Sequence, residues 1–197
     1  MASLRQGSKG SYYGSEWGAS EPLTTSEKNV NATYIYRYLS ANGWTRNSIA
    51  ALLGNMEAES SINPGRWQND NVGSTSNGYG LVQWTPSTKY TNWCSERGFS
   101  DASEMDVNLL RIIYEVENKI QWIATETYNF SFEEFTKSTR SVGELAKSFL
   151  LNYERPADQS ESVQEYRASL SEAWYTYLGG VTPDIPDEPT VTYKTKK

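Results

Sequence analysis

Residues 54–68, "GNMEAESSINPGRWQ", decide how this chain is read. They are the end of an apolar helical pattern running straight into a turn. Upstream, Ile49, Leu52, Leu53 and Met56 recur at helical spacing, so "RNSIAALLGNMEAE" reads as a helix capped by Thr45. From Asn63 onward the pattern breaks. Two carboxylates, Glu57 and Glu59, stand where it stops. On a wheel of ~100° per residue, Glu59 lies ~60° from Met56 and close to Leu52, and Glu57 lies ~40° from Leu53. Both flank the apolar stripe, so periodicity does not choose between them. A solvated acid at a helix end is the commoner reading of such a glutamate. Yet a helix C-terminus and apolar neighbours both disfavour an anion. A carboxyl group that holds its proton is what a general acid needs.

Working outward, "VNATYIYRYLSANGW" places Val30, Tyr34, Ile35, Tyr38 and Leu39 on one helical face, with a start at Ser26 and a stop at Gly43. Residues 63–83 are rich in Asn, Gly, Ser and Asp and read as turns with a small hairpin or irregular sheet. After Pro86 helical patterns return: "STKYTNWCSERG", "MDVNLLRIIYEVENKIQWI", "SFEEFTKST", "SVGELAKSFLLNYERP" and "VQEYRASLSEAWYTYLGG". The expected fold is α+β and mostly helical, several helices around one small β-hairpin with a cleft between. Residues 1–22, Gly/Ser-rich with Tyr12, Tyr13 and Trp17, read as a flexible arm. Residues 23–180 read as one domain, and 181–197 as a Pro-rich linker or tail of the kind that leads to a further domain.

Composition narrows the chemistry. The chain has 197 residues and no histidine, which removes Ser-His-Asp and Cys-His nucleophilic sites and His-based zinc sites. Its single cysteine, Cys94, allows no intrachain disulfide and no cysteine cluster. Acid–base chemistry therefore falls to Asp, Glu, Lys or Tyr. The net charge of −6, without a dense basic run, argues against a nucleic-acid partner. No apolar stretch is long enough for a membrane span, and the N-terminus has no apolar core of a secretion signal. Seven Trp and fourteen Tyr suit an aromatic-lined cleft and a large aromatic core equally well.

The residues that follow the helix carry a resemblance. Glu59-Ser60, Asn63-Pro64 and Gly78-Tyr79-Gly80-Leu81-Val82-Gln83 resemble the signature of soluble lytic transglycosylases and goose-type lysozymes. The likeness is closer to the lysozyme domains of phage tail-tip lysins, the knob proteins of small phages infecting Gram-positive bacteria. Asn42-Gly43-Trp44-Thr45, residues 53–68, residues 78–86 and Tyr153-Glu154-Arg155-Pro156 stand in the order those domains show, and the match spans roughly residues 26–178.

The resemblance implies a lysozyme-like fold and a glycosidase that cleaves the β-1,4 bond between N-acetylmuramic acid and N-acetylglucosamine. It also makes Glu59, not Glu57, the catalytic acid. Gln83 is then a candidate hydrogen-bond partner for an N-acetyl group or hydroxyl. Tyr79, with Trp67 and Trp84, is a candidate for stacking on sugar rings, core packing being the equal alternative for each. Tyr153 is expected to approach the acid as the late tyrosine of transglycosylases does, although "LNYERP" departs from their A-Y-N-A-G pattern. Arg155 reads as an ion-pair partner of Glu154. Asp70 is the one loop-segment carboxylate available as a second group, and an inverting hydrolase would hold it ~6.5–9.5 Å from the acid. A transglycosylase, or cleavage assisted by the substrate's N-acetyl group, needs no such group. The expected partners are peptidoglycan glycan strands and other phage tail proteins, with no metal and no cofactor. The expected location is the virion tail tip, acting on the host wall after synthesis in the host cytoplasm without a signal peptide. The rival readings are a lytic transglycosylase and a non-catalytic wall-binding or structural tail domain.

Overall fold

A computed structural model describes residues 2–184. The expected mostly helical α+β class is what it shows. Two short strands, β1 (Ser3–Gly7) and β2 (Gly10–Gly14), precede seven α-helices. These are α1 (Thr25–Ala41), α2 (Arg46–Ser60), α3 (Thr88–Glu96), α4 (Met105–Glu117), α5 (Phe132–Lys137), α6 (Val142–Phe149) and α7 (Glu161–Leu178). A 3-10 turn covers Gln68–Asp70, and a π turn, Leu150–Glu154, prolongs α6. The expected tail from 185 onward lies outside the described residues.

Helix starts follow local hydrogen-bond supply. Thr24, one position ahead of α1, forms a reciprocal pair with Glu27: its backbone and hydroxyl donate to Glu27 Oε2 and it accepts from the Glu27 amide. The helix therefore starts ahead of the Ser26 expected. Thr45 caps α2 as expected, accepting from the Ser48 amide at 3.1 Å. Ser131 and Glu134 form a full capping box on α5. Helix α4 stops at Glu117 although the apolar spacing runs on to Ile123. Lys119 and Gln121 are left-handed there, and Asn152 captures the chain, its carbonyl accepting from Ile123 N and its Oδ1 from Thr125 N.

The described residues form two compact units. One comprises residues up to 34 together with 59–111, the other 35–58 together with 112 onward. The core of the second is aliphatic and aromatic: Phe135, Leu145, Ala146, Phe149 and Leu150 are fully buried. The Phe149 and Tyr153 rings stack 4.4 Å apart. Helices α2 and α7 approach closely in this unit because position 54 is glycine. A Cβ there would lie 2.0 Å from Ser171 Oγ and 2.6 Å from Ser171 N.

The first unit differs from expectation in where its sheet lies. The region 63–83 contains only isolated bridges, Trp67 with Tyr79 and Tyr79 with Trp84. Left-handed residues at Asn69, Asp70, Gly73, Gly80 and Gln83 interrupt any ladder. The paired strands are β1 and β2, antiparallel from Ser3 opposite Gly14 to Gly7 opposite Gly10. Residues 3–14, expected as flexible arm, are thus ordered. Arg5 pairs with Asp101 at 2.5 Å, and Ser8 donates to Asp106 from its amide and its hydroxyl. Tyr12 is buried and meets the Tyr34 ring edge-on at 5.5 Å. Glycine and serine here serve a tight two-residue turn and close packing, for a Cβ on Gly7 would strike the Tyr34 hydroxyl at 2.1 Å.

Candidate active site

The two carboxylates at the end of α2 belong to different units. Glu57 accepts a 2.8 Å hydrogen bond from Trp174 Nε1 of α7, a tie between two helices. Glu59 is half-buried and belongs to the first unit. The next residue, Ser60, is buried, and its hydroxyl donates to the carbonyl of Leu81 at 2.8 Å. That bond joins the end of the helix to the Gly78–Gln83 segment, so the two halves of the motif meet at the backbone.

The Gly78–Gln83 segment is a turn held by directed bonds. Gly80 has φ +84°, and a Cβ on it would stand 2.7 Å from Asn108 Oδ1. The buried amide of Asn108 organises the turn: Oδ1 accepts from Leu81 N at 3.0 Å, and Nδ2 donates to Tyr90 Oη and to the carbonyls of Ala102 and Glu104. Gln83 is itself left-handed. Its Nε2 donates to the carbonyls of Arg66 at 3.0 Å and Gly80 at 2.9 Å, which aims the rest of the amide. The Gln83 side chain is 9 % exposed, and its Oε1 is buried without a hydrogen-bond partner in the protein. A buried acceptor left open in this way costs stability unless something supplies a donor.

Three other expected residues are placed differently. Tyr79 is fully buried in an aromatic stack, with Trp67 at 4.2 Å and Trp17 at 5.0 Å between ring centres. It offers no face to a sugar, and burial raises its phenol above the ordinary range, so it stays neutral. Trp67 and Trp84 are likewise core residues. Trp17, from the segment read as a flexible arm, is the ring of this group left 45 % exposed. Tyr153 is also buried, and its hydroxyl donates to the buried Glu115 of α4, both in the second unit. The expected partner was the catalytic acid. Asp70 is exposed on the 3-10 turn, paired with Arg66 at 2.8 Å and accepting from Ser20 Oγ at 2.9 Å. Arg155 donates to the carbonyls of Gln121 and Asn152, which ties the π turn to the loop after α4.

Sequence reasoning missed Glu115, Asn31 and Asn108, and gave Asn63 a place in a motif but no structural task. Glu115 lies three residues beyond the buried Ile112, a helical spacing that pointed inward. Buried asparagines carry no periodic signal. Cys94 is buried, and burial pushes its thiol up to about 12, so it behaves as a small core residue. Among the described residues no helix is long and apolar enough to cross a membrane, and no group of three or more acidic or thiol side chains could hold a metal ion.

Residues 30–178 match the family model described as phage tail lysozyme. The chain belongs to the phage tail lysozyme family. It is 51 % identical over 158 residues to a protein named morphogenesis protein 1 from Bacillus phage B103. That alignment covers 80 % of this chain and 42 % of the relative, so the chain spans less than half of that protein's length. The phage tail lysozyme match begins after both β-strands and takes in α2, the turn at Gly80 and the π turn.

Proposed function

We propose that this phage tail lysozyme domain cleaves the β-1,4 bond between N-acetylmuramic acid and N-acetylglucosamine in peptidoglycan, with Glu59 as general acid. The observation that carries the reading is the bond from Ser60 Oγ to the Leu81 carbonyl. It ties the residue that follows a half-buried glutamate to the turn that carries Gln83. Glu59 delivers its proton to the bridging oxygen as the glycosidic bond breaks, and positive charge develops at the anomeric carbon. Gln83, 9 % exposed at the turn, is the residue assigned to hydrogen-bond an N-acetyl group or a hydroxyl. The carboxylate left on Glu59 then takes a proton from the incoming nucleophile.

Water as nucleophile gives a hydrolase. The sugar's own hydroxyl gives an anhydro product. The hydrolase is the reading proposed; the anhydro product, which needs no second carboxylate, is kept as the second reading because Asp70 is engaged by Arg66 and Ser20. In the virion the domain would act at the tail tip, opening the host wall locally for DNA entry, alongside other tail proteins.

Mass spectrometry of the soluble fragments released from purified Gram-positive peptidoglycan tests this. Reducing muropeptides from wild type and none from Glu59→Gln are the expected result. Anhydro-muropeptides from wild type alone would keep Glu59 and replace the hydrolase by a transglycosylase. No fragments from either protein would leave a wall-binding or structural tail domain.

A further inference from the structure

The turn directly after Glu59 is strained. Ser61 and Ile62 both have φ 56°, two successive left-handed residues that are not glycine. A β-branched residue is the least suited of all to this region. Such a conformation lasts only where the surroundings over-determine it, and it clusters at functional sites. The surroundings here come largely from the N-terminal segment.

Ile62 is fully buried, and its carbonyl accepts from Asn31 Nδ2 at 2.8 Å. The same Asn31 amide pairs with both backbone groups of Tyr13 in β2, each at 2.7 Å. It bridges the hairpin and the strained turn as a strand neighbour would. Asn63 repeats the device one residue on. Its Oδ1 accepts from the amides of Ser15 and Gly65, each at 3.0 Å, and its Nδ2 donates to Ser15 Oγ at 2.8 Å and to the Glu21 carbonyl at 2.7 Å. Every hydrogen-bonding site of that amide is used. The fit is close enough to forbid a side chain at position 65, where a Cβ would lie 2.0 Å from the Ser15 carbonyl oxygen. Ser20 closes the far end, accepting from the Trp67 amide at 3.0 Å.

We infer that Asn31 and the Ser15–Asn63 clasp are positioning groups for Glu59: they clamp the N-terminal segment onto the strained turn and so set where the carboxyl stands. The N-terminal segment lies ahead of the family match at residues 30–178, whereas Asn31 and Asn63 lie within it. The inference rests on the glycosidase reading above. Glu59 has Ser60 anchored to Leu81 after it and then the clamped turn. Loosening the clamp shifts the acid, while Gln83 keeps its separate bond to the Gly80 carbonyl. A misplacement of about 1 Å costs roughly 100-fold in rate.

The test measures kcat and KM on soluble glycan strands for the full chain carrying Asn31→Ala or Ser15→Ala. Ser15→Ala deletes one hydroxyl and keeps the Ser15 amide on Asn63, so it carries the test even where Asn31→Ala does not fold. The same substitutions in a Glu59→Gln background are assayed for binding capacity on insoluble peptidoglycan. The expected result is a fall in kcat of about 10-fold or more, with KM and binding capacity held within about twofold. A kcat within about twofold of wild type in a folded variant overturns the inference alone. A loss of binding capacity in proportion to kcat also overturns it, since that is lost fold and not lost position. No cleavage by wild type removes the glycosidase reading and takes the inference with it.

Discussion

Residues 59–87 and residues 141–178 both contribute buried residues, yet different interactions hold them. In the first stretch the only helical element after α2 ends is the short 3-10 turn, and seven residues are left-handed: Ser61, Ile62, Asn69, Asp70, Gly73, Gly80 and Gln83. Its backbone is fixed by single side chains, from Ser15, Ser20, Asn31, Asn63, Gln83 and Asn108. In the second stretch α6, the π turn and α7 pair by apolar faces, with Val142, Leu145, Ala146, Phe149, Ala168, Trp174 and Leu178 buried. Apolar burial is non-directional and forgiving, and it accumulates with area. Directed hydrogen bonds fix an atom's place but carry little redundancy. The first kind of order suits a site and the second suits a scaffold.

Substitutions can break that contrast. Glu59→Gln is expected to lower glycan cleavage by about 10²- to 10⁴-fold, the usual contribution of a general acid, while the thermal midpoint stays at the wild-type value. A large drop in the midpoint would make Glu59 a structural residue. Phe149→Ala is the converse case. The ring is fully buried against Tyr153 and Phe135, and its removal is expected to cost about 3–5 kcal/mol in urea unfolding. Activity per folded molecule should persist.

Gly80→Ala probes both properties at once. The left-handed φ and the approach to Asn108 Oδ1 predict a loss of about 1–3 kcal/mol, together with lower activity of the molecules that remain folded. Unchanged activity would mean that the turn tolerates movement. The smallest effect concerns pH. Burial pushes the Asp101 carboxyl up, but the hydroxyl and amide of Ser103 and the Arg5 guanidinium outweigh it, and the net shift is downward. A lowered carboxyl contributes stability above its unfolded pKa of about 3.9 and loses it as pH falls through the folded value. Glu104, raised by burial and by Asp101, contributes in the opposite sense. Urea midpoints should therefore fall below about pH 4, and Asp101→Asn should be weaker at neutral pH with a shallower acid limb. An unchanged acid limb would exclude Asp101 as its source.

The scaffold was legible and the site only partly so. Helical spacing located α1 to α7, because a buried face repeats every 3.6 residues whatever the details of its packing. It could not separate Glu57 from Glu59, which flank one apolar stripe. Motif order ranked Glu59, and the Trp174 bond to Glu57 supplies a structural role for the other. Composition misled at the N-terminus, where glycine and serine serve a packed hairpin as readily as a loose arm. Tyr79 and Tyr153 looked like ligand contacts because a tyrosine in a motif can face a cleft or a core, and both face the core.

By itself the sequence determined the class, the order and approximate extent of the helices, the family, and the short list from which an acid could be drawn. Each follows from local period, from residue type or from the order of motifs along the chain. Only the tertiary structure decided that the N-terminal segment braces the turn after Glu59, that Tyr153 donates to Glu115, and that Gln83 keeps one oxygen unpaired. The first two are contacts between residues 48 and 38 apart in the chain, made by single polar atoms. Nothing periodic announces them, because a hydrogen bond depends on where two atoms meet and not on what surrounds either residue in sequence.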